Sequence, residues 1–383
     1  MRICSFLVAV LMLGLAGCTG SGDGPSPAAI VEQRGAPETA QTVIGDGAVT
    51  VAMLLPISAG GSASGLAQAF QNAAQLAMED TTEDNIRIVV VDTGGTGETA
   101  RLAAEAGIAD GAQLILGPVF APAVSGAAVP ARAAGVPIIA FSTDASVAGN
   151  GIYLLSFLPK QDASRIIDYA GAQGIRSFAA LVPNNGYGLV TEAAFREAVG
   201  ANSGRVVAVE RYEPGAAAAG AENLAARNPA AAIFIPNGGD DPAASAAALR
   251  AANVDARLLG SGQWDNAAVL NATALRGAWF PGPKRGGYEA FAERYQQSFG
   301  AAPPRTASLV YDGVLLANGL VAARGASAFV PQALRNPDGF LGVDGIFRFN
   351  SRGLSERGLA VYEVDGSGGS KVISEAPSNF RGG

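Results

Sequence analysis

The stretch VTVAMLLPISAGGSASGLAQAFQNAAQLAME, residues 49–79, decides the fold of this chain. It begins with an apolar run, Val49–Leu55, which stops at a proline and predicts a buried strand. Ser64–Glu79 then carries apolar side chains at helical spacing, so the unit is a strand followed by a helix. The strand is continuously apolar and does not alternate, which is typical of a parallel sheet covered on both faces.

The same strand–helix unit recurs along the chain and restarts after Ser156. A series of this kind predicts α/β lobes with doubly wound parallel sheets. Because the residues from Val49 to the end at 383 exceed the roughly 250–300 at which single cores split, we expect two lobes. The further predicted strands are Ile86–Val91, Gln113–Leu116, Pro137–Phe141, Ser177–Val182, Arg205–Tyr212, Ala231–Ile235 and Arg257–Gly260.

The N-terminus has the layout of a secretory signal, with a basic Arg2 followed by a short apolar run. The run is too short to span a bilayer, and it closes with L-A-G-C at residues 15–18, which resembles a bacterial lipobox. This predicts a signal peptide at residues 1–17, a lipid on Cys18 and a flexible tether over 18–48. The alternative is an ordinary signal peptide with a chance cysteine.

The residue after Cys18 bears on the location of the protein. Thr19 stands there in place of an Asp, and by the enterobacterial sorting rule this resembles the pattern of outer-membrane lipoproteins. We therefore expect a periplasmic protein anchored through its lipid to the outer membrane, with the inner membrane as the alternative.

The composition disfavours several classes of function. The chain has no histidine and two cysteines, Cys4 in the predicted signal peptide and Cys18 at the predicted lipidation site. The commonest general base, the thiol nucleophile and the histidine and thiolate metal ligands are thus missing from the expected mature chain. A formal charge of −7 disfavours nucleic acid as a partner. We expect no enzyme, no cofactor and no metal.

One motif points to chemistry, the triplet Asp92-Thr93-Gly94, which resembles the active-site triplet of aspartic proteases. That reaction needs two carboxylates sharing a proton, and the sequence holds a single D-T-G among strand–helix units. A turn after the second strand is the simpler interpretation.

Candidate ligand-binding residues follow strands of both predicted lobes. Ser142, Thr143 and Asp144 come directly after Pro137–Phe141, at the edge where open α/β sheets bind ligands. The alternative is that these side chains cap the next turn.

In the second predicted lobe, Tyr187 lies in the turn N-N-G-Y-G, and Gln263 begins Q-W-D-N after a later strand. Aromatic rings with a few polar groups suit a small-molecule cleft. Trp264, which follows Gln263, has packing at the hinge as its alternative role.

Taken together, the chain resembles the type I periplasmic binding proteins from Val49 to Val364. The segments V-A-M-L-L-P-I-S, D-G-A-Q-L-I-L-G-P, Y-D-G at Tyr311–Gly313 and G-I-F-R-F-N-S-R-G carry the resemblance. It implies two Rossmann-like lobes joined by three crossings, with a central cleft that closes on a ligand. The expected first lobe is 49–156 with 277–328, and the second is 157–276 with 329–376, before a tail at 377–383.

Two branches of this superfamily imply different functions. V-D-T-G, F-S-T-D and the lipobox are similar to the lipoproteins that activate penicillin-binding proteins, so a peptidoglycan synthase is the first expected partner. The alternative is the branched-chain amino-acid receptors of ABC importers, with a permease as partner. That branch implies that Ser142-Thr143 holds the ligand carboxylate and that a second-lobe acid, near Gln263 and Asp265, holds its ammonium.

Overall fold

The computed structural model describes residues 42–227 and 230–380. The predicted signal peptide, Cys18 and most of the predicted tether lie outside the described residues, as do 381–383 of the tail. Among the helices in the described ranges, none is long and apolar enough to cross a membrane.

The first part of the chain builds a six-stranded sheet with three helices. The strands are β1 (Val43–Ile44), β2 (Val49–Leu55), β3 (Ile86–Asp92), β4 (Leu114–Leu116), β5 (Ile138–Ala140) and β6 (Ile152–Leu154), and the helices are α1 (Gly61–Glu79), α2 (Gly97–Ala109) and α3 (Ala121–Ala134). The spatial order is β1-β3-β2-β4-β5-β6, with β2 to β6 parallel to one another.

Strand β1 corrects the expected boundary of the tether. The tether was predicted to run to residue 48, whereas Val43 and Ile44 pair antiparallel with Val89 and Ile88 of β3. Two β-branched residues can add to the edge of a sheet without a hydrophobic run long enough to be recognised from sequence. The ordered lobe therefore includes residues that composition assigned to the linker.

The middle of the chain builds the second sheet. Its strands are β7 (Ser177–Pro183), β8 (Arg205–Tyr212), β9 (Ala232–Phe234), β10 (Arg257–Leu259) and β11 (Trp279–Gly282), and its helices are α4 (Pro159–Ala172), α5 (Gly186–Ala201), α6 (Ala217–Ala225), α7 (Asp241–Ala251) and α8 (Ala267–Leu270). These five strands are parallel, in the order β11-β10-β9-β7-β8.

The last part of the chain is divided between the two lobes. It holds α9 (Arg285–Phe299), α10 (Ala307–Arg324), α11 (Pro331–Leu334), β12 (Phe340–Gly342), β13 (Gly345–Phe349), β14 (Ser355–Arg357), β15 (Ala360–Val364) and β16 (Ser370–Ser374). Strands β12 to β14 form a small antiparallel sheet, while β15 and β16 extend the second sheet beyond β11.

Local sequence signals set several helix ends. The Thr96 side chain accepts a hydrogen bond of 3.2 Å from the Thr99 amide and so caps the start of α2. Gly135, predicted to close a helix, ends α3 with a left-handed φ of 69°. That conformation strains residues that carry a Cβ, which explains a glycine at this point.

Side chains of β2 show how the first sheet is covered on both faces. Val51, Met53 and Leu55 pack into the cluster that includes α1, α9 and α10. Ala52 and Leu54 point the other way, into the cluster with α2 and α3. A strand that is buried on both faces has an unbroken run of apolar residues in its sequence. The prediction of a doubly wound α/β fold is therefore confirmed.

The second sheet is covered in the same manner. On the face with α4 and α5, Phe195 stacks on Phe234 with ring centroids 5.5 Å apart. On the face with α6 and α7, the indole of Trp264 is fully buried. Trp264 is therefore a core side chain of the second lobe.

The structure divides the lobes at other residues than the sequence suggested. Residues 277–328 were expected in the first lobe, but Trp279–Gly282 pairs with β10 in the second sheet. Residues from 329 onward were expected in the second lobe, yet Pro331–Leu334 contributes Ala333 and Leu334 to the core beside α10. Short segments of this kind carry too little periodicity to be assigned, and only packing decides which lobe they join.

Three crossings connect the lobes, at 155–158, 283–284 and 358–359, as the resemblance implied. The first and third lie together, because Ser355 Oγ donates to the Ser156 carbonyl at 3.0 Å. Arg165 of α4 also donates to the Leu359 carbonyl at 2.7 Å. The hinge is therefore a bundle of hydrogen-bonded segments.

Candidate functional site

A cavity of about 580 Å³ lies between the two lobes beside the crossings. Each crossing supplies an apolar part of its wall, namely Phe157, Pro283 and Leu359. Thr143 lines it from the first lobe, and Tyr187 lines it from the second. A concave, largely apolar site with a few polar groups is the usual form of a small-molecule pocket.

Tyr187 reaches the cavity from the first turn of α5. Asn185 caps that helix by accepting a 3.0 Å bond from the Gly188 amide. A Cβ on Gly188 would lie 1.8 Å from the Pro183 carbonyl oxygen, so the turn excludes any side chain there. The Tyr187 hydroxyl donates to the Pro236 carbonyl at 3.1 Å, and burial raises the pKa of this tyrosine. Its ring is thus fixed and its hydroxyl stays protonated.

Gln263 lies in a short turn after β10. The Ser261 side chain accepts a 3.1 Å bond from the Gln263 amide and so caps this turn. Trp264 donates from its indole to the Asn237 carbonyl at 3.0 Å, which ties this turn to the loop after β9. A Cβ on Gly260 would lie 2.1 Å from the Trp264 ring, so glycine is needed for this packing.

The three residues predicted in the first lobe separate in the structure. Thr143 lines the cavity, whereas Ser142 and Asp144 are not among its lining residues. Ser142 Oγ accepts a 3.2 Å bond from the Asp144 amide, and Asp144 accepts a 2.9 Å bond from the Ser146 amide. Hydrogen bonds from Ser146 lower the pKa of Asp144. Both side chains therefore act as caps, which was the alternative interpretation of the motif.

Asp162 is a cavity residue that the sequence analysis missed. It lies in the first turn of α4, and its Oδ2 accepts a 2.9 Å bond from the Gly262 amide. Burial raises the pKa of Asp162 to about 7. Among the described residues no cation lies within ion-pair distance of it. A polar P-K-Q-D string directly after a lobe crossing was the signal that could have pointed to it.

Asp265, considered from sequence as a partner for a ligand ammonium, already has a cation. Arg285 donates to its Oδ1 at 2.6 Å. The guanidinium of Arg285 also lies over the Tyr362 ring, 4.6 Å from its centroid. The charge of Asp265 is thus compensated, while that of Asp162 is not.

A group of buried charges lies behind the hinge wall. Arg305 forms an ion pair with Asp344, whose Oδ2 also accepts a 2.7 Å bond from Ser308. Arg357 is buried nearby and lines the cavity together with Arg305. Burial raises the pKa of the neighbouring Asp312 to about 7. No pattern in the sequence around Arg357 marked it as part of the site.

Comparison with known families identifies the class of protein. A family model described as periplasmic binding protein matches residues 48–370, and the chain belongs to that family. Its members bind ligands without chemistry, so the chain is not an enzyme. A search of curated protein sequences gave no match.

Solved structures give the same fold. A putative branched-chain amino acid ABC transporter protein from Rhodospirillum rubrum has a TM-score of 0.76 at 21% identity, covering 85% of this chain and 99% of its own. A substrate-binding protein from Desulfitobacterium hafniense in complex with Leu has a TM-score of 0.61 at 18% identity, covering 85% of this chain and 99% of its own. A solute-binding protein from R. palustris in complex with benzoate has a TM-score of 0.60 at 20% identity, covering 86% of this chain and 97% of its own.

These relatives alter the balance between the two functions drawn from sequence. All three are described as proteins of ABC transporters. The findings therefore support the alternative prediction, a solute receptor, better than the leading prediction of a penicillin-binding-protein activator.

Proposed function

We propose that this chain is the solute-binding protein of an ABC importer and that it takes an amino-acid-like solute between its lobes. The observation that carries the proposal is the Asp162 carboxylate, which lines the cavity and is not ion-paired among the described residues. An ammonium group is the natural partner for such a carboxylate in a partly desolvated site. The apolar hinge wall of Phe157 and Leu359 suits an aliphatic side chain.

The relatives support the same class of solute. The R. rubrum structure is described as a putative branched-chain amino acid transporter protein, and the D. hafniense protein was solved with Leu. In this proposal Thr143, Tyr187 and Gln263 contribute polar contacts, while Ser142 and Asp144 shape the loop that carries Thr143.

Calorimetric titration of the purified chain with the standard L-amino acids tests the proposal. We expect saturable binding of one aliphatic class and a matching rise in melting temperature. A ligand at 100 times its Kd adds about 2.7 kcal/mol to the free energy of unfolding. Absence of binding across the whole panel contradicts an amino-acid receptor.

The partner distinguishes import from cell-wall regulation. Crosslinking of intact envelopes, followed by capture of this chain, should recover an ABC permease. The activator-type role rests on the V-D-T-G, F-S-T-D and lipobox resemblances alone. Recovery of a peptidoglycan synthase, in a chain that binds no amino acid, would favour that role instead.

We further propose that a lipid on Cys18 holds the protein on the periplasmic face of the outer membrane, or of the inner membrane. The support is the L-A-G-C string after a short apolar segment. Labelling of cells with a radioactive fatty acid should mark the wild-type chain and not Cys18→Ser. Equal labelling of both chains contradicts the proposal, and fractionation of the envelope assigns the membrane.

A further inference from the structure

Two hydrogen-bond donors of the cavity wall have no partner in the described part of the chain. Arg357 lines the cavity, and its three guanidinium nitrogens are buried without any hydrogen bond. Gln161 lines the same cavity, and its Nε2 is buried and equally unpaired. Buried polar groups in native proteins are nearly always hydrogen-bonded, so two such donors beside one cavity indicate a missing acceptor.

The charge of Arg357 makes that acceptor an anion. A guanidinium stays protonated in proteins, and its planar fork matches the two oxygens of a carboxylate. Aromatic contacts hold the group, since its Cζ lies 4.9 Å from the Phe157 ring centroid and 5.3 Å from that of Phe347. These ring contacts leave its hydrogen-bonding capacity unused.

Nearby carboxylates do not fill this role. Both oxygens of Asp344 accept hydrogen bonds from Arg305, and Ser308 adds a further bond to Oδ2. Asp312 makes no hydrogen bond to Arg357: its Oδ1 accepts a 2.8 Å bond from the Val343 amide, and its Oδ2 is buried without a hydrogen bond. Burial raises the pKa of Asp312 to about 7, so near neutral pH its negative charge is incomplete.

We propose that Arg357 and Gln161 bind the carboxylate of the solute, in place of the Ser142-Thr143 pair that the sequence suggested. This inference rests on the proposed function and adds its carboxylate anchor. Gln161 follows the first crossing and Arg357 precedes the third, so both donors lie beside the hinge.

Paired acids and amides test the anchor by calorimetry on the purified chain. The probes are L-leucine with L-leucinamide and benzoate with benzamide, which differ in the carboxylate alone. We expect each acid that binds to do so on the order of 10- to 100-fold more tightly than its amide, because a charged hydrogen-bonded pair is lost in the amide. Equal affinities for acid and amide overturn the inference.

Variants locate the preference on the proposed residues. Arg357→Met should reduce the ratio of acid to amide affinity to about one, while Arg348→Met should keep it. Arg348 is a matched control because it lies in the same small sheet, pairs with Glu356 at 2.8 Å and is not a cavity residue. If Arg357→Met does not fold, Gln161→Leu keeps the charge and should still lower the ratio several-fold. An unchanged ratio in a folded variant overturns the inference and leaves Arg357 as a counter-ion of Asp312.

The same data separate this inference from the proposed function. Benzoate that binds through Arg357, with no amino acid bound, supports the anchor and contradicts the amino-acid receptor. L-Leucine and L-leucinamide that bind equally well support the receptor and overturn the anchor. A chain that binds neither benzoate nor any member of the L-amino-acid panel contradicts both.

Discussion

The two walls of the cleft differ in how their loops are used. In the second lobe, the loops after β7, β9 and β10 place Tyr187, Asn237 and Gln263 against the cavity. Apart from the crossing after β6, the loop after β5 alone lines it among the described loops that follow strands of the first sheet, through Thr143. Two lobes with one architecture thus present unequal surfaces to the ligand.

The loops of the first lobe satisfy their own polar groups. Asp92 of the D-T-G triplet accepts hydrogen bonds from the Ser58 amide at 3.2 Å and the Gly94 amide at 2.8 Å. These hydrogen bonds lower the pKa of Asp92 although its burial alone would raise it. The triplet is a turn, as its simpler interpretation held. We infer that the second lobe and the segments beside the crossings make most of the contacts with the solute.

We expect the largest effect, a loss of stability, when the side chain that supports the second lobe's side of the cleft is removed. Trp264→Ala deletes a fully buried indole that also holds the Asn237 loop, and should lower the free energy of unfolding by about 3–5 kcal/mol. Denaturant titration measures this loss of free energy of unfolding. Leu341→Ala is the control, because that side chain is 83% exposed and its loss should stay within about 0.5 kcal/mol. Similar losses in the two variants would contradict this role for Trp264.

The second effect compares one carboxylate from each lobe. Asp162→Asn should weaken L-leucine binding on the order of 10- to 100-fold, since it removes the proposed partner of the ammonium. Asp144→Asn should change the affinity by less than about twofold, because Asp144 caps a turn and is not a cavity residue. Calorimetry measures both, and the reverse order of effects would place recognition in the first lobe.

The third prediction concerns pH. Burial raises the pKa of Asp162 from 3.8 to about 7, so the folded state keeps a proton that the unfolded state releases. Stability should therefore fall as pH rises from about 4 to about 7, and Asp162→Asn should reduce that slope, with Asp312, whose pKa is also raised to about 7, contributing the remainder. Affinity for L-leucine should rise over the same range, since the ammonium pairs with the ionised carboxylate. Melting and titration series check both trends, and parallel slopes in wild type and Asp162→Asn would exclude Asp162 as the cause.

The smallest expected effect distinguishes two neighbouring residues on the first lobe's side of the cleft, Thr143 and Ser142. Thr143→Val removes a hydroxyl from the cavity and should weaken L-leucine binding roughly 2- to 10-fold. Ser142→Ala should leave the affinity unchanged and cost about 1 kcal/mol of stability, because its Oγ accepts a bond from the Asp144 amide. A larger loss of affinity in Ser142→Ala would restore Ser142 as a ligand contact.

Part of the candidate site could be predicted and part could not. Thr143, Tyr187 and Gln263 follow strands, and the carboxyl ends of parallel strands meet at one edge, so their position followed from the strand pattern. Asp162 follows a crossing instead, and its proximity to the Gly262 loop depends on how α4 packs. Arg357 lies 195 residues after Asp162 in the sequence. It lines the same cavity because the chain returns to the hinge just before the third crossing.

Local patterns along the chain were enough to predict the two doubly wound lobes, because apolar runs and helical periodicity are local properties that burial on both faces imposes. The sequence also shows that the chain has no histidine and that its cysteines are Cys4 and Cys18, both before the described residues. Tertiary structure alone decided which lobe received residues 279–282 and 331–334, which polar residues became caps, and which buried charges were left without a partner. Those outcomes depend on contacts between distant segments, and no local pattern of residues records them.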